Sequence, residues 1–229
     1  MAQTATLVLI HGAWHGSWCW ERLLAELADL DVRVGVLPST GPDPARLGDL
    51  HDDVVAVRAT LADIAGPVVV CGHSYGGIPV TEAAAGLDNV RRLVYLSSLP
   101  LDAGQSLFDF TEHEFPPFWD VRGDDGYFDV RDPRTTLYQD VEPAVADEMV
   151  PRLGHQALAS ATQPVTRAGW REIDSTYVVC AKDAAFPLPG QEALAARCGS
   201  VRRLDSGHSP FFSQPAKLAE LLREELTRA

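Results

Sequence analysis

The strongest local signal in the chain is Val68-Val69-Val70-Cys71-Gly72-His73-Ser74-Tyr75-Gly76-Gly77. The β-branched run from Val68 to Cys71 has the composition of a strand buried on both faces, and Ile78 to Ala85 continues as a helix. A turn this sharp from strand to helix strains the backbone at its apex, so the residues two before and two after the serine, Gly72 and Gly76, must be small. This is the Gly-x-Ser-x-Gly nucleophile elbow. It lifts the Ser74 hydroxyl clear of the sheet and points the N–H of Tyr75 at the same spot. Glycine-flanked serines also occur in ordinary turns, so a nucleophile role for Ser74 depends on what the flanking chain supplies.

Upstream, Leu7 to Ile10 is another buried-strand run, and it passes straight into His11-Gly12-Ala13-Trp14-His15-Gly16-Ser17-Trp18. A glycine-bearing loop at the carboxyl end of a strand leaves backbone N–H groups unpaired. Ala13 can therefore present one of the two donors an oxyanion needs, and Tyr75 the other. The alternative is a plain strand-to-helix turn around core tryptophans, and His11 and His15 are expected to be structural. Trp18 to Leu27 follows as an amphipathic helix, Val32 to Leu37 as a strand, and Pro38 to Pro44 as a proline-rich loop that is not helical. Asp49 to Ile64 has apolar residues at helical spacing (Leu50, Val54, Val57, Leu61) and closes on Gly66-Pro67. Strands alternating with helices at this spacing specify parallel βαβ units, hence a doubly wound α/β sheet with its ligand site at the carboxyl ends of the strands.

Downstream, Arg91 to Leu96 is another strand, after which the alternation stops from about Pro100 to Trp170. That stretch holds Phe108, Phe110, Phe115, Phe118, Trp119, Tyr127, Phe128 and Tyr138 among many aspartates, with short helical pieces such as Pro143 to Arg152 and no evident strand partners. It leaves after one strand and returns before another, so it is expected to form a mainly helical lid, residues 100–172, over a core made of 1–99 and 173–229. Its aromatics either line a substrate cavity or form the lid's own core. Trp14, Phe118, Trp119 and Phe186 are the candidates for such a lining. The pattern resumes with the strand Ser175 to Cys180, ending in Ala181-Lys182-Asp183, then a helix from about Pro189 to Arg197. A last strand, Val201 to Leu204, runs into Asp205-Ser206-Gly207-His208-Ser209, and Gln214 to Thr227 forms the closing helix.

A carboxylate and an imidazole thus each follow a strand end, in the chain order Ser, Asp, His. A serine hydroxyl needs a base to take its proton during attack, and His208 is the candidate. The imidazole needs a buried carboxylate to fix its tautomer, which Asp183 is placed to supply. Asp102 and Asp205 are the other candidate acids. His73, His113, His155 and His51 are the other candidate bases, of which His73 lies in the elbow backbone and is expected to be structural. Nothing in this chemistry requires a metal or an organic cofactor.

At 229 residues, with 46% hydrophobic and 22% charged residues, the chain suits one well-buried domain plus an insertion. A formal charge of −13 repels nucleic acid and anionic membrane surfaces, so neither is expected as a partner. Met1 to Thr6 carries no basic cluster, and the apolar run after it is too short for a leader or a membrane span, which predicts a cytoplasmic protein. Cys19, Cys71, Cys180 and Cys198 are scattered, without metal-ligand spacing, and are expected to be reduced thiols.

Leu9-Ile10-His11-Gly12-Ala13-Trp14-His15-Gly16-Ser17-Trp18-Cys19-Trp20, Gly72-His73-Ser74-Tyr75-Gly76-Gly77, the Asp183 segment and Gly207-His208 together resemble the α/β-hydrolase superfamily, more closely its branch of plant-type methyl esterases and hydroxynitrile lyases. The resemblance covers roughly residues 5 to 99 and 173 to 228, and nothing specific in the lid. It implies an α/β-hydrolase fold that lacks the usual short N-terminal strands, leaving about six strands, mostly parallel. In that branch the lyases carry threonine in place of Gly12 and lysine in place of Ser209. This chain has neither, so it is similar to the esterases. The resemblance implies a serine-dependent carboxylic ester hydrolase acting on a small apolar or aromatic ester through an acyl-enzyme. A non-hydrolytic or C–C-cleaving enzyme on the same scaffold is the second reading, and a ligand-binding receptor the third.

Overall fold

The computed structural model describes residues 5–229; Met1 to Thr4, part of the segment read for a leader, lies outside the described residues. Among those described, the strands in chain order are β1 (Thr6–Ile10), β2 (Val32–Gly35), β3 (Thr40–Gly41), β4 (Val68–His73), β5 (Val90–Leu96), β6 (Trp119–Arg122), β7 (Tyr127–Val130), β8 (His155–Ala157), β9 (Ser175–Cys180) and β10 (Ser200–Leu204). Six of them form one sheet in the order β10-β9-β5-β4-β1-β2, with every pairing parallel. β4 and β9 are buried along their whole lengths, as strands covered by helices on both faces must be, which is why their sequences are nearly unbroken apolar runs.

The flanking helices include α1 (Glu21–Glu26), α2 (Leu50–Ala62) and α3 (Gly77–Ala83); α1 packs against the C-terminal helix Pro215–Leu226, and α2 against α3. Asp49 starts α2 as a reciprocal cap: its carboxylate accepts the His51 and Asp52 amides, while the Asp52 carboxylate accepts the Asp49 amide. The strand order reverses between β1 and β4, the place where an open parallel sheet leaves a crevice at its carboxyl edge. Ile10 sits in register with Gly72, so the Gly12–Ala13 loop and the Ser74 turn leave the sheet side by side at that crevice.

The segment between β5 and β9 departs from the expected run of short helices without strand partners. It carries β6, β7 and β8, which join β3 in an antiparallel sheet of order β3-β8-β7-β6. The proline-rich loop after β2 likewise contributes β3, through Thr40 and Gly41 pairing with Gln156 and His155. β6 and β7 pair Asp120 with Asp129, a like-charge juxtaposition relieved by Arg122 and Arg131 on Asp120 and by His155 on Asp129. All four cysteines are free, and burial pushes the Cys71 thiol up to about 12 and that of Cys198 to about 11. No helix among the described residues is long and apolar enough to cross a membrane.

Candidate active site

Three residues at the carboxyl edge have left-handed backbone although none is glycine: Trp14 (φ 62°) after β1, Ser74 (φ 50°) after β4, and Ser97 (φ 42°) after β5. Such conformations are costly for residues with a Cβ and persist only where the surroundings enforce them. At Ser74 the enforcement comes from the flanking glycines. A Cβ on Gly72 would sit 2.6 Å from the Gly77 Cα, and one on Gly76 would overlap the His11 carbonyl oxygen. Ser74 opens a 3-10 turn, Ser74–Gly76, so the Tyr75 amide is one of the donors that a helix start leaves without an intrahelical partner. Among the described residues no hydrogen bond uses the Ala13 amide either.

His208 lies in the loop after β10 and Asp183 in the loop after β9. Asp183 Oδ2 accepts from His208 Nδ1 at 2.6 Å, with side-chain exposures of 3% for the histidine and 0% for the aspartate. With Nδ1 donating to the carboxylate, the other ring nitrogen of His208 is left free to take a proton. Asp183 is held in turn by the Ala185 and Phe186 amides, each 2.8 Å from Oδ1, and by the Ser97 hydroxyl, 2.5 Å from Oδ2. His73 is fully buried and bonds through Nε2 to the His208 carbonyl, so it fixes the loop that carries His208.

Burial, with His208 and His15 nearby, drives the His73 pKa well below the ordinary histidine value; burial likewise lowers His15 to about 3 and His11 to about 4. These three rings are neutral scaffolding. His15 joins the Ala13 carbonyl to the Tyr138 hydroxyl, and His11 joins the Gly12 carbonyl to the Leu37 amide. The remaining candidates fall elsewhere. Asp102 pairs with Arg171 at 2.6 Å and Arg197 at 3.8 Å, and the exposed Asp205 pairs with Lys182. His113 pairs with Asp109, His155 with Asp129, and His51 is exposed on α2.

Ser74, His208, Ala13 and Tyr75 line a single pocket of about 90 Å3, together with Trp14, Phe118, Trp119 and Phe186. Phe110 and Phe128, two more of the aromatics of the inserted segment, also line it, and Leu99, Leu107, Thr111, Pro116 and Ala185, which the sequence does not single out, complete the wall. Periodicity does not mark them, because they lie in short pieces of the inserted segment and in loops. Apart from His208, no lining residue is a histidine, lysine, arginine, aspartate or glutamate. The two expectations for the aromatics merge: Trp119 stacks on Phe128 with ring centres 4.1 Å apart, and Trp14 meets Phe128 edge-on at 5.5 Å, so one cluster is both the core of the insertion and the pocket wall. Among the described residues no group of three or more His, Cys, Asp or Glu side chains is placed to hold a metal ion.

The chain is 29% identical over 240 residues to the alpha/beta hydrolase nvfD of Aspergillus novofumigatus, covering 95% of this chain and 94% of that one. It is also 29% identical to a carbendazim hydrolyzing esterase of Nocardioides, with 95% and 98% covered. The solved structure of the Arabidopsis methylesterase MES16 superposes with a TM-score of 0.82 over 98% of this chain and 100% of that one, at 22% identity, a likeness of fold. The family model described as the alpha/beta hydrolase family matches residues 7–221, which carry the elbow, the Ala13 loop, Asp183 and His208, and the chain belongs to that family.

Proposed function

We propose that this chain is a serine-dependent carboxylic ester hydrolase for small, uncharged esters bearing an apolar or aromatic group. The observation that carries the reading is the buried Asp183–His208 pair facing the same uncharged pocket as the Ser74 elbow. Ser74 Oγ adds to the ester carbonyl as His208 takes its proton, and Asp183 stabilises the imidazolium. The oxyanion is held by the Ala13 and Tyr75 amides, each donor being worth about 3 kcal/mol. Collapse returns the proton to the leaving alcohol and leaves an acyl-serine, which water cleaves by the same steps in reverse roles. An aromatic wall without a cation favours neutral groups, because a buried carboxylate on the substrate would lack a partner. A pocket of about 90 Å3 favours small esters. Residues 100–172 then act as the lid over the core formed by 1–99 and 173–229.

Hydrolysis is favoured over the lyase chemistry of the branch by the space around Gly12 and Ser209. A Cβ at Gly12 would lie 2.9 Å from both Ser74 Cβ and His73 Nδ1, and Ser209 is fully buried, a position at which an ammonium group would have to leave water. The names of the carbendazim-hydrolyzing and methylesterase relatives agree with ester hydrolysis. The unpaired cysteines suit a reducing compartment, the cytoplasm, and the charge of −13 disfavours nucleic acid and anionic membranes as partners. The test is hydrolysis of short p-nitrophenyl esters with and without Ser74→Ala, alongside fluorophosphonate labelling. Activity and labelling are expected in the wild type and absent in the variant. An active Ser74→Ala protein, or a wild type that neither hydrolyses nor labels, overturns the reading. Oxygen from labelled water must appear in the acid product, since a lyase incorporates none.

A further inference from the structure

Tyr75 enters the proposed mechanism through its backbone, but its ring is also engaged. The phenol is buried and donates to Asp53 Oδ2 at 2.6 Å. Asp53 lies on α2 and is completely buried, with no cation paired to it among the described residues. Its carboxyl accepts further from Ser39, at 2.8 Å from the amide and 2.6 Å from the hydroxyl. The Ser39 hydroxyl in turn accepts from Gln156 Nε2 at 2.7 Å. The other end of Gln156, Oε1, accepts from Thr40 Oγ1 at 2.5 Å and from the Trp14 amide at 3.4 Å.

The donors therefore run in one direction, from Gln156 through Ser39 to Asp53, and from Tyr75 to the same carboxyl. The two ends of this chain are Tyr75, whose amide is one oxyanion donor, and the peptide that follows Ala13, whose amide is the other. A carboxyl placed this deep without a cation is unfavourable, and burial raises its pKa to about 6 against the pull of the Ser39 and Tyr75 hydrogen bonds. The helical pattern does not call for a carboxyl at position 53, since an apolar residue there would continue the Leu50, Val54, Val57, Leu61 face.

We propose that Asp53 is a positioning residue that sets the spacing of the two oxyanion donors, holding Tyr75 directly and the Ala13–Trp14 peptide through Ser39 and Gln156. The proposal rests on the hydrolase reading above. It places the alignment of the hole under the control of a cluster outside the pocket, Ser39, Asp53 and Gln156, joined from three separate stretches of chain.

Tyr75→Phe tests it most cleanly, because it removes one hydroxyl and leaves the amide in place. With p-nitrophenyl acetate as substrate and fluorophosphonate titration counting active sites, Tyr75→Phe is expected to lower kcat per titrated site about tenfold with KM within twofold, a partial form of the 10²–10³ loss seen when such a donor is removed outright. Asp53→Asn is expected to do the same. The double variant should be no slower than the worse single variant, because both act through one unit. A structural role alone would lower the melting temperature and the fraction of titratable sites while kcat per site stayed at the wild-type value, and that result overturns the proposal. Fully multiplicative effects in the double variant overturn it as well. Should Asp53→Asn fail to fold, Tyr75→Phe and Gln156→Leu, which cut the chain at its two ends, carry the same comparison. If the wild type itself neither hydrolyses nor labels, the hydrolase reading falls and the positioning role with it. If the wild type is active and Tyr75→Phe is unaffected per site, only the positioning role falls.

Discussion

Asp183 and His208 meet at 2.6 Å inside the protein, and the other hydrogen bonds to that carboxylate hold it still: two backbone amides on Oδ1 and the Ser97 hydroxyl on Oδ2. Ser97 reaches it from the end of β5, in the left-handed conformation that turns its side chain toward the β9 loop. The pair is thus fixed from two strands before substrate arrives.

Asp183→Asn is expected to lower kcat about 10⁴-fold with little change in KM, since the amide favours the wrong histidine tautomer while the geometry stays intact. Asp102→Asn should stay within about twofold of wild type in kcat, because Asp102 faces Arg171 and Arg197 rather than His208. Steady-state kinetics on a p-nitrophenyl ester decide the matter. A dead Asp102 variant beside an active Asp183 variant would reverse the assignment.

Gly12→Thr brings in the lyase-branch residue at a site where the chain leaves no room. Its Cβ would sit 2.9 Å from Ser74 Cβ and from His73 Nδ1, and neither can retreat: Ser74 is pinned at the elbow and His73 is bonded to the His208 carbonyl. The expected outcome is a loss of ester hydrolysis of at least about 100-fold and a destabilisation of about 1–3 kcal/mol from overpacking, with no gain of cyanohydrin cleavage. Denaturant melts and cyanide release on mandelonitrile measure the two effects. A folded, stable variant that releases cyanide would show that the elbow has slack the structure does not reveal.

Acid should destabilise this protein well above the carboxylate range. His11, His15 and His73 stay neutral when folded, with values of about 4, about 3 and well below the ordinary one, whereas in the unfolded chain they protonate near 6.5. A depressed folded value means that stability present above pH 6.5 is lost as pH falls, at about 1.4 kcal/mol per pH unit for each ring. Asp53 works the other way, because its folded value is raised to about 6 and it gains its proton early in the folded state. Three rings outweigh one carboxyl, so unfolding free energy should fall by roughly 3 kcal/mol per pH unit between about pH 5.5 and 4.5. Urea melts at half-unit pH steps read this slope, and His11→Gln should make it shallower by one proton. A flat profile down to pH 4.5 would mean that the rings are already protonated in the fold.

The core is legible because buried parallel strands are continuous apolar runs, as in Val68 to Cys71 and Ser175 to Cys180, and because Ala13, Ser74 and Asp183 each come within three residues of the end of such a run, whereas His208 follows the half-exposed edge strand Ser-Val-Arg-Arg-Leu. The small second sheet is not. β6 reads Trp-Asp-Val-Arg, β7 Tyr-Phe-Asp-Val, and β3 and β8 are two and three residues long, so no alternation persists long enough to be seen. Asp53 is equally hidden. Its neighbours Leu50, Val54 and Val57 mark a helical face, but a single carboxyl beside that face looks like its solvated edge until Ser39 and Tyr75 are seen to close over it. What sequence does not carry is the meeting of stretches that are each ordinary alone.

Phe118 and Trp119 are adjacent in sequence and both line the pocket, yet they should behave differently when truncated. Trp119 is 7% exposed and stacks on Phe128 at 4.1 Å, so its removal leaves a hole in the cluster that supports Trp14. Trp119→Ala is expected to destabilise the protein by about 3–5 kcal/mol. Phe118 is only half-buried and touches Trp14 and Trp119 edge-on at 6.5 Å, so little else leans on it. Phe118→Ala should cost no more than about 1 kcal/mol of stability. It should raise KM for a phenyl ester about tenfold, equivalent to ~1.4 kcal/mol of apolar burial that the ligand no longer gains, while KM for an acetate of a small alcohol stays nearly unchanged. Comparing the two esters on one variant separates pocket from fold, because misfolding would lower activity on both alike. Equal KM increases on both esters would place Phe118 outside the binding wall.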